Sequence, residues 1–263
     1  MNLAEDRLAP STDRACRSTS ALGLGTVKLG RNWSTKYPGG DGFALPTDRE
    51  VERLLDTALE CGINVLDTAP AYGTSEERLG KLLGARRREF FLITKTGEEV
   101  IDRKSEYCFT AAHTRMSVER SLRRLKTDFL DCVLCHSSSN DMEVITRTDV
   151  LEALARLKEA GKIGTFGVST YTVEGGRLAV DLCDGVMVAY NRVHTGERAV
   201  IDHARTNRKM VFVKKALNSG HVGNLGDISE NIRFILDTPG VTTLVFGSLD
   251  PDNIRANARA LTQ

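Results

Sequence analysis

The chain has 263 residues, and its 36 Lys and Arg against 35 Asp and Glu leave a formal net charge of +1. So even a balance excludes a nucleic-acid binder held by a basic field and an acidic tail, and it points to a small molecule as partner. No apolar run reaches the roughly 18 residues of a membrane span, and the opening MNLAEDRLAPSTDRACRSTS has no apolar stretch of the secretory kind, so a soluble, cytoplasmic protein is expected.

Residues 1–20 are expected to be mobile or to lie across the bottom of the fold, and 21–263 to form one domain. The first apolar run, 21–25, leads into a Gly-rich stretch carrying Trp33 and Tyr37, which could line one wall of a substrate cleft. A helix over 48–61 places Val51, Leu54, Leu55, Ala58 and Leu59 on one stripe, with Thr47 as its cap and Gly62 beyond its end. The second strand, 63–67, stops at Asp67, and the third, 90–95, stops at Lys95. Between 96 and 110 the chain reads as a long polar loop with Tyr107 and Phe109, of the kind that shapes specificity.

After a helix over 112–126, strand 130–136 ends in His136. The helix 149–160 is closed by Gly161, strand 163–169 ends in Ser169, and strand 185–190 ends in Tyr190 before Asn191. Strand 210–215 ends in Lys214 and Lys215, and a short loop over 221–227 leads to helix 229–237. The last strand, 242–246, runs through Gly247 and Ser248 into helix 251–261.

Eight such strand–helix pairs with no linker between them fit a single α/β domain of the (β/α)8 TIM-barrel type, about 250 residues in typical cases; a doubly wound sheet is the alternative. In a barrel the reactive groups stand at the C-terminal ends of the strands. Alternate strand residues share a face, so Asp67 groups with Val65 and Ile63, Lys95 with Ile93 and Phe91, and His136 with Leu134 and Cys132. Each series is apolar beneath one polar tip.

The six cysteines, Cys16, Cys61, Cys108, Cys132, Cys135 and Cys183, are scattered, which is the usage of a reducing compartment, and no disulfide is expected. Cys132 and Cys135 are three residues apart on a strand and point to opposite faces, so they are not expected to share a metal.

The segments Leu22-Gly-Leu-Gly-Thr26, Asp67-Thr-Ala-Pro-Ala-Tyr72-Gly-Thr-Ser-Glu76, Thr94-Lys95, the run from Ser121 to Asp131 leading into His136, Gly161-Lys-Ile before Gly167-Val-Ser169, and Tyr190-Asn191 resemble the aldo-keto reductases. The resemblance implies a barrel that binds a nicotinamide cofactor without a Rossmann fold, acts on a small-molecule carbonyl, and carries a catalytic tetrad at Asp67, Tyr72, Lys95 and His136. It also implies cofactor contacts at Gly25, Thr26, Ser169, Asn191, Gly247, Ser248, Asn253 and Asn257, with no metal; from the strand end itself, Lys215 or its neighbour Lys214 is expected to contact the cofactor pyrophosphate or an anionic substrate.

The chemistry of the four residues agrees. Carbonyl reduction turns the oxygen into an alkoxide, so an acid must supply a proton and a donor must stabilise the developing charge. Tyr72 is expected to be made acidic by the ammonium of Lys95, and Asp67 to keep that ammonium charged where water is scarce. His136 is expected to act as a neutral donor that orients the carbonyl.

NADPH is the cofactor expected by resemblance, with NADH the alternative, because Gly247 and Asn253 stand where a Lys and an Arg clasp the 2′-phosphate in the best-known branch; Arg255 could substitute. Free N–H groups at the start of helix 251–261 are expected to receive the adenosine phosphates. Thr170 and Met187 replace two amide partners of the nicotinamide, and Lys214 replaces a ring-stacking aromatic. With no chain beyond Gln263 to close the pocket, an open and shallow substrate site is expected. Two other classes remain: a lyase forming a Schiff base at Lys95 or Lys215, and a regulatory module that binds a dinucleotide without catalysis.

Overall fold

Apolar runs of period two, each broken off by a polar residue, become the staves of a closed barrel. The computed structural model describes residues 18–34, 40–221, 223 and 226–261. Strands β1 (Leu22–Gly25), β2 (Val65–Asp67) and β3 (Phe91–Thr96) are followed by a hairpin, β4 (Glu98–Ile101) and β5 (Lys104–Tyr107), that lies outside the barrel. The remaining staves are β6 (Leu130–His136), β7 (Ile163–Ser169), β8 (Gly185–Ala189), β9 (Met210–Lys214) and β10 (Thr243–Phe246). All eight pair in parallel, in the cyclic order β1, β2, β3, β6, β7, β8, β9, β10, with β10 returning to β1. The doubly wound alternative is thereby set aside.

The pleat sorts the core into two compartments. Val65, Phe91, Ile93, Cys132, Leu134, Met187, Phe212 and Val245 fill the barrel interior, as the alternation in the second, third and fourth staves predicts except at Ile63, which precedes β2 and packs in the outer cluster. Their neighbours in sequence, among them Leu66, Leu92, Val133 and Cys135, face outward and pack under the helices. Cys132 and Cys135 therefore sit on opposite sides of one strand. Tyr190 also faces outward and stacks on Phe234 with centroids 5.4 Å apart. Ser20 accepts a bond from Thr243 and pairs with Asn64, so 18–20 ties the strand starts together. Residues 1–17 and Tyr37 lie outside the described residues.

Local signals place the helices. Helix α1 (Val27–Gly30) is a short turn. In α2 (Asp48–Glu60) the Thr47 hydroxyl accepts from the Glu50 N–H and the Glu50 carboxylate accepts from the Thr47 N–H, a reciprocal cap. Thr110 caps α4 (Ala111–Arg124) and Asp227 caps α9 (Ile228–Leu236). Helices α3 (Ser75–Leu82), α5 (Asp141–Arg147), α6 (Val150–Glu159), α7 (Val173–Leu182), α8 (Arg198–Thr206) and α10 (Pro251–Arg259) complete the shell.

Where α3 crosses the end of α4, a Cβ on Gly80 would lie 1.9 Å from the Arg124 carbonyl oxygen and 2.8 Å from the Leu125 Cα. Those are backbone atoms and cannot swing aside. Gly80→Ala is therefore expected to destabilise the fold by at least about 1–3 kcal/mol, read as a lower denaturant midpoint at unchanged slope.

The stretch 96–110 corrects the expectation of an irregular loop. It is a hairpin in which Glu98 pairs with Tyr107 and Ile101 with Lys104. Asp102 and Arg103 at its tip have φ of 48° and 64°, the left-handed pair that a two-residue hairpin turn demands. Without an Asn-Gly or Asp-Gly at the tip, the turn carries no obvious sequence signal.

Candidate active site

The polar tips of the staves meet at one end of the barrel. Asp67 pairs with Gly25 across β1 and β2, and both the N–H and the hydroxyl of Thr26 donate to the Asp67 carbonyl at 2.9 Å. Ser75 and Thr68 extend this buried polar cluster. Thr26, expected at the cofactor, is fully buried with its hydroxyl committed to Asp67. It braces the strand end from beneath.

Above that brace, Lys95 donates to Asp67 Oδ1 at 2.5 Å and to the Thr68 carbonyl at 2.9 Å. The lysine is 2% exposed. Burial alone would strip its proton, but Asp67, by its charge and its hydrogen bond, outweighs burial and holds Lys95 above the usual lysine range.

The turn after β2 brings Tyr72 over this pair. Gly73 has φ +62°, and a Cβ there would stand 2.2 Å from the Gly30 carbonyl and 3.0 Å from the Trp33 ring, so only glycine fits where the turn rests on α1. Lys95 Nζ lies 4.8 Å from the Tyr72 ring centroid. The expected lowering of the phenol does not occur. Burial dominates and pushes Tyr72 up to about 12, with Lys95 pulling against it and Asp67 adding to the rise. The lysine offsets only part of the desolvation of a phenolate.

His136 ends β6 and meets Tyr72 edge to face, with centroids 6.4 Å apart at 88°. Its Nδ1 lies 2.6 Å from Glu98 Oε2, close but off the ring N–H axis. Burial holds His136 below its ordinary value of 6.5, against the pull of Glu98. Glu98 gave no sequence signal, because it sits on the hairpin rather than at the end of a barrel strand.

The residues expected at the cofactor divide into two groups. Ser169, on the inward column of β7, accepts a bond from Lys214 Nζ at 2.9 Å. Lys214 also donates to the Thr170 carbonyl at 2.8 Å and lies 4.5 Å from the Tyr171 ring centroid. Burial, then the charges of Lys215 and Lys95, push Lys214 down to about 7. Lys215 was the expected contact, but the pleat assigns the inward place to Lys214 after Met210 and Phe212. Lys215 is exposed in a left-handed conformation at φ 55°. Asn191 is fully buried and its amide is largely used by backbone, donating to the Lys215 carbonyl and accepting from the Val193 and His194 N–H groups.

At the other edge of the mouth, Gly247 leaves the backbone uncovered, whereas a Cβ on Gly25 would press to 3.3 Å on Val245. A Cβ on Gly247 would meet nothing nearer than the Gly25 carbonyl oxygen at 3.7 Å. The expectation of free N–H groups at the start of α10 needs correction. The Asp250 carboxylate caps the helix by accepting from the Asp252 N–H at 2.9 Å, and the Ser248 hydroxyl accepts from the Asp250 N–H at 3.0 Å. The helix start thus carries two carboxylates, Asp250 and Asp252. Arg255 lies 3.2 Å from Asp252 and 3.5 Å from Glu60, while Asn253 is exposed and Asn257 is buried.

A barrel with a lysine–carboxylate pair, a phenol and an imidazole gathered at the C-terminal ends of its staves has the layout of a TIM-barrel enzyme. The chain belongs to the aldo/keto reductase family, whose profile matches residues 21–224. A solved structure from Pseudomonas aeruginosa, assigned to the aldo-keto reductases, is 43% identical, covers 92% of this chain and 91% of its own, and superposes with a TM-score of 0.83. D-arabinose 1-dehydrogenase of Saccharomyces cerevisiae is 34% identical over 165 residues, which is 60% of this chain and 44% of the yeast protein. NADH-specific methylglyoxal reductase of Escherichia coli is 32% identical over 220 residues, 76% of this chain and 64% of that protein. The chain thus spans less than two thirds of the length of these two relatives. Among the described residues no helix is long and apolar enough to cross a membrane.

Proposed function

We propose that the protein reduces an aldehyde or ketone to an alcohol at the expense of a reduced nicotinamide dinucleotide, with Tyr72 as proton donor. The reading is carried by the Asp67–Lys95 pair buried under the Tyr72 ring, with His136 across the same mouth. A proton donor must hold its proton until the reaction needs it, and a phenol at about 12 does so at neutral pH. The alkoxide that forms on the substrate is a stronger base still, so the proton moves to it. Lys95, kept charged by Asp67, then stabilises the phenolate left behind.

The mouth suits a dinucleotide, since the bare rim at Gly247 admits a close backbone approach. A bound nicotinamide supplies the hydride. Ser169 and Lys214 would lie at its reactive end, and Gly247, Ser248, Asn253 and Asn257 along its adenosine end, while Thr26 and Asn191 support the walls. The acidic start of α10 supports the cofactor without a 2′-phosphate, NADH, over the NADPH that the resemblance implies. A 2′-phosphate there would meet Asp250 and Asp252, with Arg255 already engaged by Asp252 and Glu60. Titrating both dinucleotides by fluorescence is expected to give the lower Kd for NADH, and Asn253→Arg to narrow the gap about tenfold or more by adding one cation for the phosphate.

The decisive experiment follows cofactor oxidation across a panel of aldehydes, ketones and sugars that includes D-arabinose and methylglyoxal, the compounds in two relatives' names. Oxidation that depends on Tyr72 supports the reading. The lyase alternative moves to Lys214, since Lys95 is paired with Asp67 and Lys214 is the lysine pushed down to about 7. Borohydride trapping of substrate at Lys214, without any cofactor oxidation, would replace the reductase with that lyase.

A further inference from the structure

The contact between Glu98 and His136 determines where the imidazole proton sits. Although the contact runs off the ring N–H axis, a bare Nδ1 lone pair 2.6 Å from a carboxylate oxygen would be repelled by it, so the anion favours a proton on Nδ1. Burial opposes ionisation of Glu98, but the bond and charge of His136, then Ser105 and Arg31, overcome it and bring the carboxyl down to about 2. The proton therefore belongs to the ring. The other oxygen, Glu98 Oε1, accepts from Ser105 Oγ at 2.5 Å across the hairpin. Gly97 holds the hairpin base at φ +103°, where a Cβ would press to 2.7 Å on the Phe109 ring, and Phe109 stacks on Tyr107 opposite Glu98. His136 and Ser105 thus hold the two carboxylate oxygens, one each.

We propose that Glu98 is a positioning residue for the reduction proposed above: by keeping a proton on Nδ1 of His136, it leaves Nε2 bare in the neutral ring, so that only the imidazolium donates from Nε2 to a substrate carbonyl. The inference rests on that reading of the reaction. It replaces the neutral donor expected from the sequence with a charged one whose availability depends on pH. The charged groups that act on His136 are Glu98 from the hairpin, which favours the imidazolium, and Lys95 from β3 and Lys214 from β9, which oppose it. Tyr72 presents an uncharged ring edge.

Reduction is accordingly expected to gain as pH falls and to lose about tenfold in kcat/KM per pH unit above the His136 titration, which lies below 6.5. In Glu98→Gln the side-chain amide can donate to Nδ1, which moves the ring proton to Nε2 and gives a neutral donor. That variant is expected to show a flat pH profile over the same range, and Glu98→Asp, which keeps the anion, to restore the slope.

A second measurement is independent of turnover. ¹⁵N spectra of the His136 ring at neutral pH, assigned with His136→Gln, should report the Nδ1–H tautomer in the wild type and in Glu98→Asp and the Nε2–H tautomer in Glu98→Gln. Identical tautomers and superimposable pH profiles in wild type and Glu98→Gln would overturn the proposal. Absence of any carbonyl reduction in the wild type would instead remove the reductase reading, while an Nε2–H tautomer in the wild type would remove the role of Glu98 by itself.

Discussion

Tyr72→Phe is expected to lower kcat/KM for carbonyl reduction by about 10²- to 10⁴-fold, the range of a lost general acid, and to leave the Kd of the dinucleotide unchanged. The ring stays and only the hydroxyl goes, so the T-shaped packing on His136 survives while the proton source is lost. The same variant has a signature in stability. Tyr72 holds its proton up to about 12 in the folded protein against an ordinary 10.0, so its contribution is complete below pH 10 and is lost as pH rises from about 10 to about 12. The wild type should lose stability across that window and Tyr72→Phe should lose less. Equal alkaline unfolding profiles, or full reductase activity in the variant, would refute the assignment.

The second large effect concerns the pair beneath the phenol. Lys95→Met leaves the Asp67 carboxylate buried without its cation, and breaking one partner of a buried pair costs about 3–5 kcal/mol. Chemical denaturation should show that loss at neutral pH, accompanied by loss of turnover. Adding Asp67→Asn should return most of the stability, because the uncompensated charge is gone, but none of the activity, because nothing is left to stabilise a phenolate. Lys95 has its folded value raised, so its own contribution is complete below the ordinary 10.5 and fades only as pH climbs through the higher folded value. A double variant as unstable as Lys95→Met would show that the pair matters for packing rather than for charge.

The further site features depend on the same desolvated mouth. Lys214, Lys95 and His136 share it, and the two ammonium groups act on the imidazole through a medium that screens them poorly. Protonation at any one of them therefore shifts the others. Glu98, reaching in from a hairpin outside the barrel, is the anion that makes a charged His136 tolerable there.

Much of the barrel can be read from residue order alone. A strand alternates its faces every residue, so Val65 and Asp67, Ile93 and Lys95, and Leu134 and His136 share an inward column wherever the strands happen to pair. The amphipathic stripe and the Thr47 cap of α2 are equally local. So is the placement of Asp67, Lys95, His136 and Ser169 at strand ends, because each polar residue interrupts its own apolar run.

What residue order left open depends on contacts between distant segments. The choice between Lys214 and Lys215 follows from the exact pairing of β9 with β8 and β10, which a strand end rich in lysine does not reveal. The pairing of Glu98 with His136 joins a hairpin to a strand end 38 residues further along. The acidity of Tyr72 depends on how completely its phenol is withdrawn from water against how near Lys95 comes. The Asp250 cap turns an expected anion site into an acidic one. Strand periodicity and helix capping are short-range and survive in the sequence, whereas burial, cross-segment distance and desolvation exist only once the barrel has closed.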